Sequence, residues 1–347
     1  MAVPSRGRPS AAIFGLAGKT LSDEERAFFS DVQPLGYILF ARNVDTPVQV
    51  RSLVDDLRGL VSGHDPVVLI DQEGGRVQRL KPPHWRFAPP MAEFGAVYAT
   101  DRDAAKKALT LNMQLIGQEL AELGIDVDCA PVMDVPVADA HDIIGNRAFS
   151  HDPHDVAEMA VAACDGLIAA GVVPVIKHIP GHGRARADSH LELPVVEADL
   201  ASLRASDFVP FAAFPKSGRA AMAMTAHVVY TAIDPDKPAT TSAKVIGDII
   251  RGEFGFTGLL MSDDLGMKAL GGPYDQRAAA ALAAGCDLVL HCDGNLDDMR
   301  AVAKALQPLG ANGLRAMEEL TAIRRKPREI LNAAAVQVVV TNVLRRA

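Results

Sequence analysis

The sequence predicts an α/β fold, in which residues 1–347 form a single (β/α)8 TIM-type barrel with a helical C-terminal segment at about 311–347. Three observations lead to this prediction. Short apolar runs alternate with amphipathic helical patterns from end to end, polar residues follow the apolar runs, and no Gly/Ser/Pro-rich linker divides the chain. A repeated strand–helix pattern without interruption favours a closed parallel barrel over an open sheet.

Short apolar runs provide the predicted strands. They cover residues 11–16, 36–40, 67–70, 125–132, 172–176, 220–224, 258–261 and 287–290. Such runs are typical of parallel strands, which are buried on both faces and therefore do not alternate between apolar and polar residues.

Amphipathic patterns between these runs predict the helices. Ser22 precedes three acidic residues, which is typical of a helix N-terminus, and a second helix begins at Pro47. In this second helix, apolar residues recur with i, i+3, i+4, i+7 spacing from Val50. Further helices are predicted at about 102–123, 153–170 and 199–214, after a cap at Thr241 or Ser242, at 276–284, and over most of 311–346.

The composition excludes several classes of function. A formal net charge of -8 without a basic stripe argues against a nucleic acid partner, and no apolar run approaches the roughly 18 residues needed to span a membrane. The apolar stretch 11–18 leads into Lys19 and an acidic helix, so it is predicted to be the first strand rather than a signal peptide. The four cysteines show neither pairing nor zinc spacing, which predicts buried free thiols in a reducing cytoplasm.

Polar residues that follow the predicted strands locate the site. In a barrel the carboxyl ends of all strands meet on one face, where the active sites of this fold lie. The polar residues at these ends are Asp71, Lys177, His178, His227, Asp263 and His291. We therefore expect these side chains to converge.

Two adjacent aspartates follow the seventh strand. Because consecutive residues of a strand point to opposite sides, one of Asp263 and Asp264 can face the barrel mouth while the other caps a helix or binds the loop backbone. A carboxylate facing a cleft can attack an anomeric carbon or hold a cation. From the residues alone, two simple turn aspartates are an equally good interpretation.

The loop after the fifth strand carries Asp188-Ser189-His190. A carboxylate two residues before a histidine can bind one ring nitrogen and leave the other free for proton transfer, although loop histidines are more often simply solvated. A metal site of His178, His182, Asp188 and His190 is the minority interpretation, because these spacings fit no zinc signature.

Arginines and a carboxylate follow two other strands. Asp71 precedes Arg79, and this pair could either brace the rim or bind sugar hydroxyls. Arg147, after the fourth strand, could likewise bind a ligand or hold its own long loop.

Taken together, these motifs resemble glycoside hydrolase family 3, and within it the single-domain β-N-acetylhexosaminidases. The matching strings are IDQEGGRVQR at 70–79, GNRAF at 145–149, KHIPGHG at 177–183, DSH at 188–190, MTAH at 224–227 and SDDLGM at 262–267. The resemblance extends from Ala11 to about Gly294, and Ile179 stands where the family commonly has phenylalanine. The segment beyond 311 matches weakly.

The resemblance implies a retaining β-N-acetylhexosaminidase that removes terminal N-acetylglucosamine, without a metal or other cofactor. It implies that Asp263 is the nucleophile and that His190 is the acid/base, oriented by Asp188. It places sugar-binding positions at Asp71, Arg79, Arg147, Lys177 and His178. The implied substrate is a cytoplasmic muropeptide fragment, N-acetylglucosamine β-1,4-linked to 1,6-anhydro-N-acetylmuramic acid, from peptidoglycan recycling.

Three other functions remain open at this point. The first is a phosphorylase, in which phosphate replaces water as the acceptor, because a neutral histidine tolerates an anion that a carboxylate would repel. The second is a metal-dependent hydrolase, and the third is a sugar-binding barrel without catalysis. The sequence leaves the oligomeric state undetermined.

Overall fold

The computed structural model describes residues 8–138, 140–219, 221–326 and 328–346. The strands of these residues are β1 (Ser10–Phe14), β2 (Pro34–Leu39), β3 (Val67–Ile70), β4 (Gln72–Gly74), β5 (Val77–Gln78), β6 (Val127–Asp128), β7 (Val173–Ile179), β8 (Val195–Val196), β9 (Met222–Thr225), β10 (Val229–Tyr230), β11 (Asp234–Pro238), β12 (Leu260–Asp264) and β13 (Leu288–His291). Their helices are α1 (Asp23–Val32), α2 (Pro47–Gly59), α3 (Met91–Tyr98), α4 (Arg102–Glu122), α5 (Pro153–Ala169), α6 (Leu200–Ala205), α7 (Phe208–Ala213), a π-helix (Val245–Glu253), α8 (Tyr274–Ala284), α9 (Leu296–Ala303), α10 (Ala311–Arg324) and α11 (Ala333–Leu344).

Eight of the strands close into a barrel. Their order around it is β1-β2-β3-β6-β7-β9-β12-β13, which is also their order along the chain, and β13 pairs with β1. Every pairing in the barrel is parallel. The predicted (β/α)8 barrel is therefore confirmed, and the carboxyl ends of the strands meet on one rim.

Local sequence signals fix the helix starts. Ser22 and Glu25 form a reciprocal capping box at α1, which satisfies two backbone N–H groups that a helix leaves unpaired at its start. Thr46 accepts a hydrogen bond from the Gln49 N–H at α2, with Pro47 as the first helical residue. Of the two predicted caps at 241–242, it is Ser242 that accepts a hydrogen bond, from the Val245 N–H.

Several boundaries differ from the sequence-based expectation. Strands β7 and β12 extend to Ile179 and Asp264, so Lys177, His178 and Asp263 lie within the last residues of strands instead of after them. The fourth strand covers only Val127–Asp128 instead of 125–132, because Pro131, which has no N–H, interrupts the ladder; pairing resumes as a single parallel bridge between Val132 and Lys177. The helix expected over 199–214 is split into α6 and α7, because Asp207 turns inward to bind Arg184. In the strand predicted at 220–224, Ala220 lies outside the described residues, and β9 covers Met222–Thr225.

The apolar core has two layers. The outer layer packs the barrel strands against the surrounding helices. The inner layer fills the barrel, and it includes residues from the amino-terminal ends of strands together with Ala316, Leu320 and Ile323 of α10. The predicted C-terminal helical segment therefore packs against the rest of the chain. Helix α10 covers the end of the barrel opposite the polar rim, and α11 packs against α3 and α4.

Two further expectations from composition can be compared with the structure. Among the described residues, no helix combines the length and apolar character needed to cross a membrane. The cysteines Cys129, Cys164, Cys286 and Cys292 are buried free thiols, as predicted.

Candidate active site at the carboxyl rim

A cavity of about 580 Å³ opens at the carboxyl rim of the barrel. Seven of the eight predicted site residues line it, and these are Asp71, Arg79, Arg147, Lys177, His178, His190 and Asp263. The eighth, Asp188, lies behind His190 and binds it. The barrel thus brings together side chains that are far apart along the chain.

Buried ion pairs form one wall of the cavity. The Lys177 Nζ lies 2.8 Å from Asp71 Oδ1 and 2.7 Å from Glu73 Oε1. Arg147 binds both oxygens of Glu73, at 2.8 Å each. Arg79 donates to Asp71 Oδ2 at 3.0 Å. Each arginine is therefore held in an ion pair and also lines the cavity, and sugar binding by the arginines stays a prediction.

This network fixes the charge of its members. Burial opposes ionisation of Asp71, but Lys177 and Arg79 hold the pKa of this carboxyl well below its usual value. Burial likewise opposes ionisation of Glu73, but Arg147 and Lys177 lower its pKa to about 2. The two carboxylates in turn raise the pKa of Lys177 against the effect of burial. At neutral pH all of these groups are ionised.

A second carboxylate–imidazole pair was missed from the sequence. Asp134 Oδ2 lies 2.7 Å from His178 Nδ1, and Asp134 Oδ1 accepts the backbone N–H groups of His178 and His182. Burial opposes ionisation of Asp134, but His178 and then His182 lower its pKa to about 2. Because Nδ1 is bound to Asp134, the other ring nitrogen of His178 remains available to a ligand.

The two aspartates that end β12, the seventh strand of the barrel, differ in their hydrogen bonds. Asp264 accepts backbone N–H groups of Gly266 and Cys292 and so fixes the turn. Both residues line the cavity, but among the described residues the Asp263 carboxylate accepts only the N–H of Asp264. Burial opposes its ionisation, but His227 and His178 hold the pKa of Asp263 below its usual value. Asp263 is therefore an ionised, available carboxylate.

Histidines His227 and His291 do not reach the cavity, contrary to the expectation that all polar residues at strand ends converge. Both are fully buried. His227 Nε2 donates to the Asp264 carbonyl at 2.9 Å, and His227 Nδ1 lies 2.7 Å from Thr240 Oγ1. His227 therefore supports the end of the strand that carries Asp263. His291 faces Asp293 instead.

The loop after β7 presents the other dyad. His190 Nδ1 lies 2.7 Å from Asp188 Oδ1, and the His190 N–H donates to the same oxygen. The His190 side chain is 61% exposed, whereas Ser189 beside it is buried and lies 3.1 Å from His182 Nε2. The inner side of the loop is thus anchored, and the imidazole of His190 faces the cavity mouth.

The four residues of the alternative metal site are engaged separately. His178 is bound to Asp134, His182 to Ser189, and His190 to Asp188. Burial lowers the pKa of His182 to about 4. Within the described part of the chain, these residues do not form a cluster of three donor atoms close enough to share an ion.

Comparisons with known proteins agree with this geometry. The family described as "Glycosyl hydrolase family 3 N terminal domain" matches residues 11–325. A beta-hexosaminidase of Alkalilimnicola ehrlichii is 43% identical over 286 residues, covering 81% of this chain and 80% of the relative. One of Chromobacterium violaceum is 41% identical over 295 residues, covering 84% and 81%.

A solved structure is also similar. It is the crystal structure of NagZ from Neisseria gonorrhoeae in complex with N-trifluoroacetyl-D-glucosamine, with a TM-score of 0.86, 31% identity and 99% of each chain covered. The family match covers nearly the whole barrel, and the rim carries the motifs expected of it. This chain belongs to glycosyl hydrolase family 3.

Proposed function

We propose that this protein is a retaining β-N-acetylhexosaminidase that removes terminal, non-reducing, β-linked N-acetylglucosamine. The observation that carries the proposal is a single cavity that gathers an ionised carboxylate, Asp263, and an exposed imidazole, His190, beside a wall of ionised groups. The names of the similar relatives, and the glucosamine derivative in the similar NagZ structure, support this substrate class.

The ionised wall suits a sugar ring. Asp71 is an acceptor for hydroxyl groups, while Lys177, Arg147 and Arg79 are donors, and hydrogen bonds to ionised partners are stronger than those between neutral groups. Because these side chains already hold one another, little side-chain entropy is lost when the sugar binds. We assign Asp71, Arg79, Arg147, Lys177 and His178 to sugar binding.

The reaction proceeds in two displacements in this proposal. Asp263 attacks the anomeric carbon and forms a covalent glycosyl-enzyme, while His190 gives its proton to the departing glycosidic oxygen. His190 then takes a proton from water, which attacks the anomeric carbon and releases Asp263. Two inversions return the β configuration.

A histidine can serve as the acid/base here for two reasons. Imidazole changes charge near neutral pH, so it can both give and accept a proton under working conditions. Its deprotonated form is neutral, so it adds no second negative charge to the cavity that holds Asp263. Asp188 binds Nδ1 and leaves Nε2 for the substrate oxygen.

The natural substrate and location in this proposal come from the family resemblance. We propose N-acetylglucosamine β-1,4-linked to 1,6-anhydro-N-acetylmuramic acid, released during peptidoglycan recycling, and hence action in the cytoplasm. Arg42 and Arg76 stand on the cavity lining, where they would favour an anionic leaving group, such as one that carries the lactyl or peptide carboxylates of this fragment. Cleavage of the muropeptide fragment should therefore be more efficient than that of neutral chitobiose.

Variants at two positions test the chemistry. His190→Ala should slow hydrolysis of glycosides with poor leaving groups far more than that of nitrophenyl glycosides, whose departure needs little protonation. His154→Ala, at an exposed histidine, is the matched control and should change neither rate. Equal losses on both substrate types would remove His190 from the acid role.

Asp263→Asn should abolish turnover of both substrate types, because an amide cannot form the glycosyl ester. A fluorinated N-acetylglucosamine-type inactivator followed by peptide mapping should label Asp263. Label on another residue would contradict the assignment.

The acceptor is tested by the same enzyme preparation with and without phosphate. We propose water, so free N-acetylglucosamine should form in both. Formation of the 1-phosphate, with a rate that rises with phosphate concentration, would make the protein a phosphorylase instead.

A further inference from the structure

A second group of chemically reactive side chains lies beside the cavity, at the end of β13. It consists of His291, Asp293 and Asp298, which we call the β13 cluster. One donor atom of each lies within 4.8 Å of the others, and no other set of His, Cys, Asp or Glu among the described residues meets this condition. The sugar chemistry proposed above uses none of the three.

The histidine of the β13 cluster is buried without a hydrogen-bond partner. His291 has no exposed surface, and neither of its ring nitrogens makes a hydrogen bond to any described residue. Its Nε2 lies 3.0 Å from Asp293 Oδ1 but without hydrogen-bond geometry. Because a buried polar atom without a partner is costly, this ring points to a ligand that is not part of the protein.

The two carboxylates of the cluster repel each other. One carboxylate oxygen of Asp293 and one of Asp298 lie within 4.8 Å of each other, so two negative charges are held close together. No lysine or arginine nitrogen of the described chain lies within 4 Å of either carboxylate, and the nearby Arg300 pairs with Asp297 and Glu24 instead. A cation between the carboxylates would relieve this repulsion.

The backbone around the cluster is held in place. Asn295 caps α9 by accepting the N–H groups of Asp297 and Asp298, and its own N–H donates to Asp293 Oδ1 at 2.7 Å. Gly294 adopts a φ of 77° against Leu16, where a Cβ atom would come within 2.4 Å of the Leu16 carbonyl carbon. The tight loop therefore presents the three ligand residues from a fixed frame.

We propose that His291, Asp293 and Asp298 form a binding site for a divalent transition-metal ion, with zinc as the preferred ion. One imidazole nitrogen and two carboxylate oxygens are ligands that zinc accepts, and three protein ligands leave one position of a tetrahedral site open. Asp293 also lines the sugar cavity, so the bound ion lies at its edge. The ion joins the end of β13 to α9.

Zinc titration of the chelator-treated protein tests the site. Wild type should bind one zinc ion by calorimetry, and its melting temperature should rise with zinc, because an ion that binds only the folded state stabilises it. Asp298→Asn should weaken zinc binding by at least tenfold and remove the thermal shift. Asp297→Asn, the adjacent acidic residue outside the cluster, is the matched control and should bind zinc as wild type does.

His190→Ala separates this site from the Asp188–His190 dyad, which could also attract zinc. The proposal expects this variant to bind zinc with unchanged affinity. It is overturned if zinc is not taken up, if Asp298→Asn binds it normally, or if binding disappears with His190→Ala. Asp298→Asn is preferred to a change of the fully buried His291, which could unfold the rim. Turnover by the zinc-free enzyme tests the glycosidase proposal separately.

Discussion

Replacing Glu73 by glutamine removes one charge from the ionised wall and changes little else. The carboxylate of Glu73 lies between Lys177 and Arg147, and its side chain is 3% exposed. Glutamine keeps the size and one acceptor oxygen, but it leaves two buried cations with one carboxylate fewer. Breaking a buried ion pair in this way is strongly destabilising.

The pKa of Glu73 sets the magnitude. Its pKa falls from an ordinary value of 4.5 to about 2, and each unit corresponds to about 1.4 kcal/mol, so ionisation of Glu73 contributes about 3 kcal/mol to stability at pH 7. Because the pKa is lower in the folded state, this contribution is complete well above pH 4.5 and is lost as the pH falls toward 2. About 1 kcal/mol remains at pH 3.

Urea unfolding of wild type and Glu73→Gln at several pH values measures this effect. The difference in the free energy of unfolding should be about 3 kcal/mol at pH 7 and should shrink on acidification. Glu93→Gln is the matched control, since Glu93 is exposed, and its stability difference should stay near zero. A difference for Glu73→Gln that is the same at pH 7 and pH 3 would refute the electrostatic argument.

Two further changes are informative. Asp134→Asn should lower kcat/KM by about 10- to 100-fold, mainly through KM, because His178 loses the carboxylate that orients its ring. A loss of kcat alone, with an unchanged pH profile, would contradict this positioning role. Gly183→Ala should destabilise the protein by about 1 to 3 kcal/mol, because its Cβ would meet the Val135 carbonyl oxygen at 2.0 Å. Gly247→Ala, which meets nothing within 4 Å, is the control for denaturant unfolding, and equal effects of the two alanines would refute the steric reason.

The barrel could be predicted from the sequence because its signals are local. Each buried parallel strand appears as an apolar run, and caps such as Ser22 mark helix starts within four residues. The separation of Asp263 from Asp264 follows equally from the alternation of side chains along a strand. Local signals fail where a tertiary contact overrides them. The expected helix 199–214 is interrupted at Asp207, which binds Arg184 instead of continuing the helix.

The missed residues depend on contacts that one sequence does not display. Asp134 binds His178 across 44 positions, and Glu73 binds Arg147 across 74. A polar residue at a strand end can also point away from the barrel mouth, since a shift of one residue reverses its direction. This explains why His227 is buried behind the site although it follows a strand end, as Asp71 does.

Helix α10 has a structural role that is separate from the chemistry, because it covers the apolar interior of the barrel. Every residue proposed for the sugar site precedes Gly294, whereas Leu320 and Ile323, which pack into the amino-terminal end of the barrel, come after 310. A chain shortened before α10 would retain all its reacting groups yet admit water to the interior of the cylinder. Loss of activity after C-terminal truncation would therefore indicate a destabilised barrel and not the loss of a reacting group. A fusion at the C-terminus must leave α10 packed against the barrel.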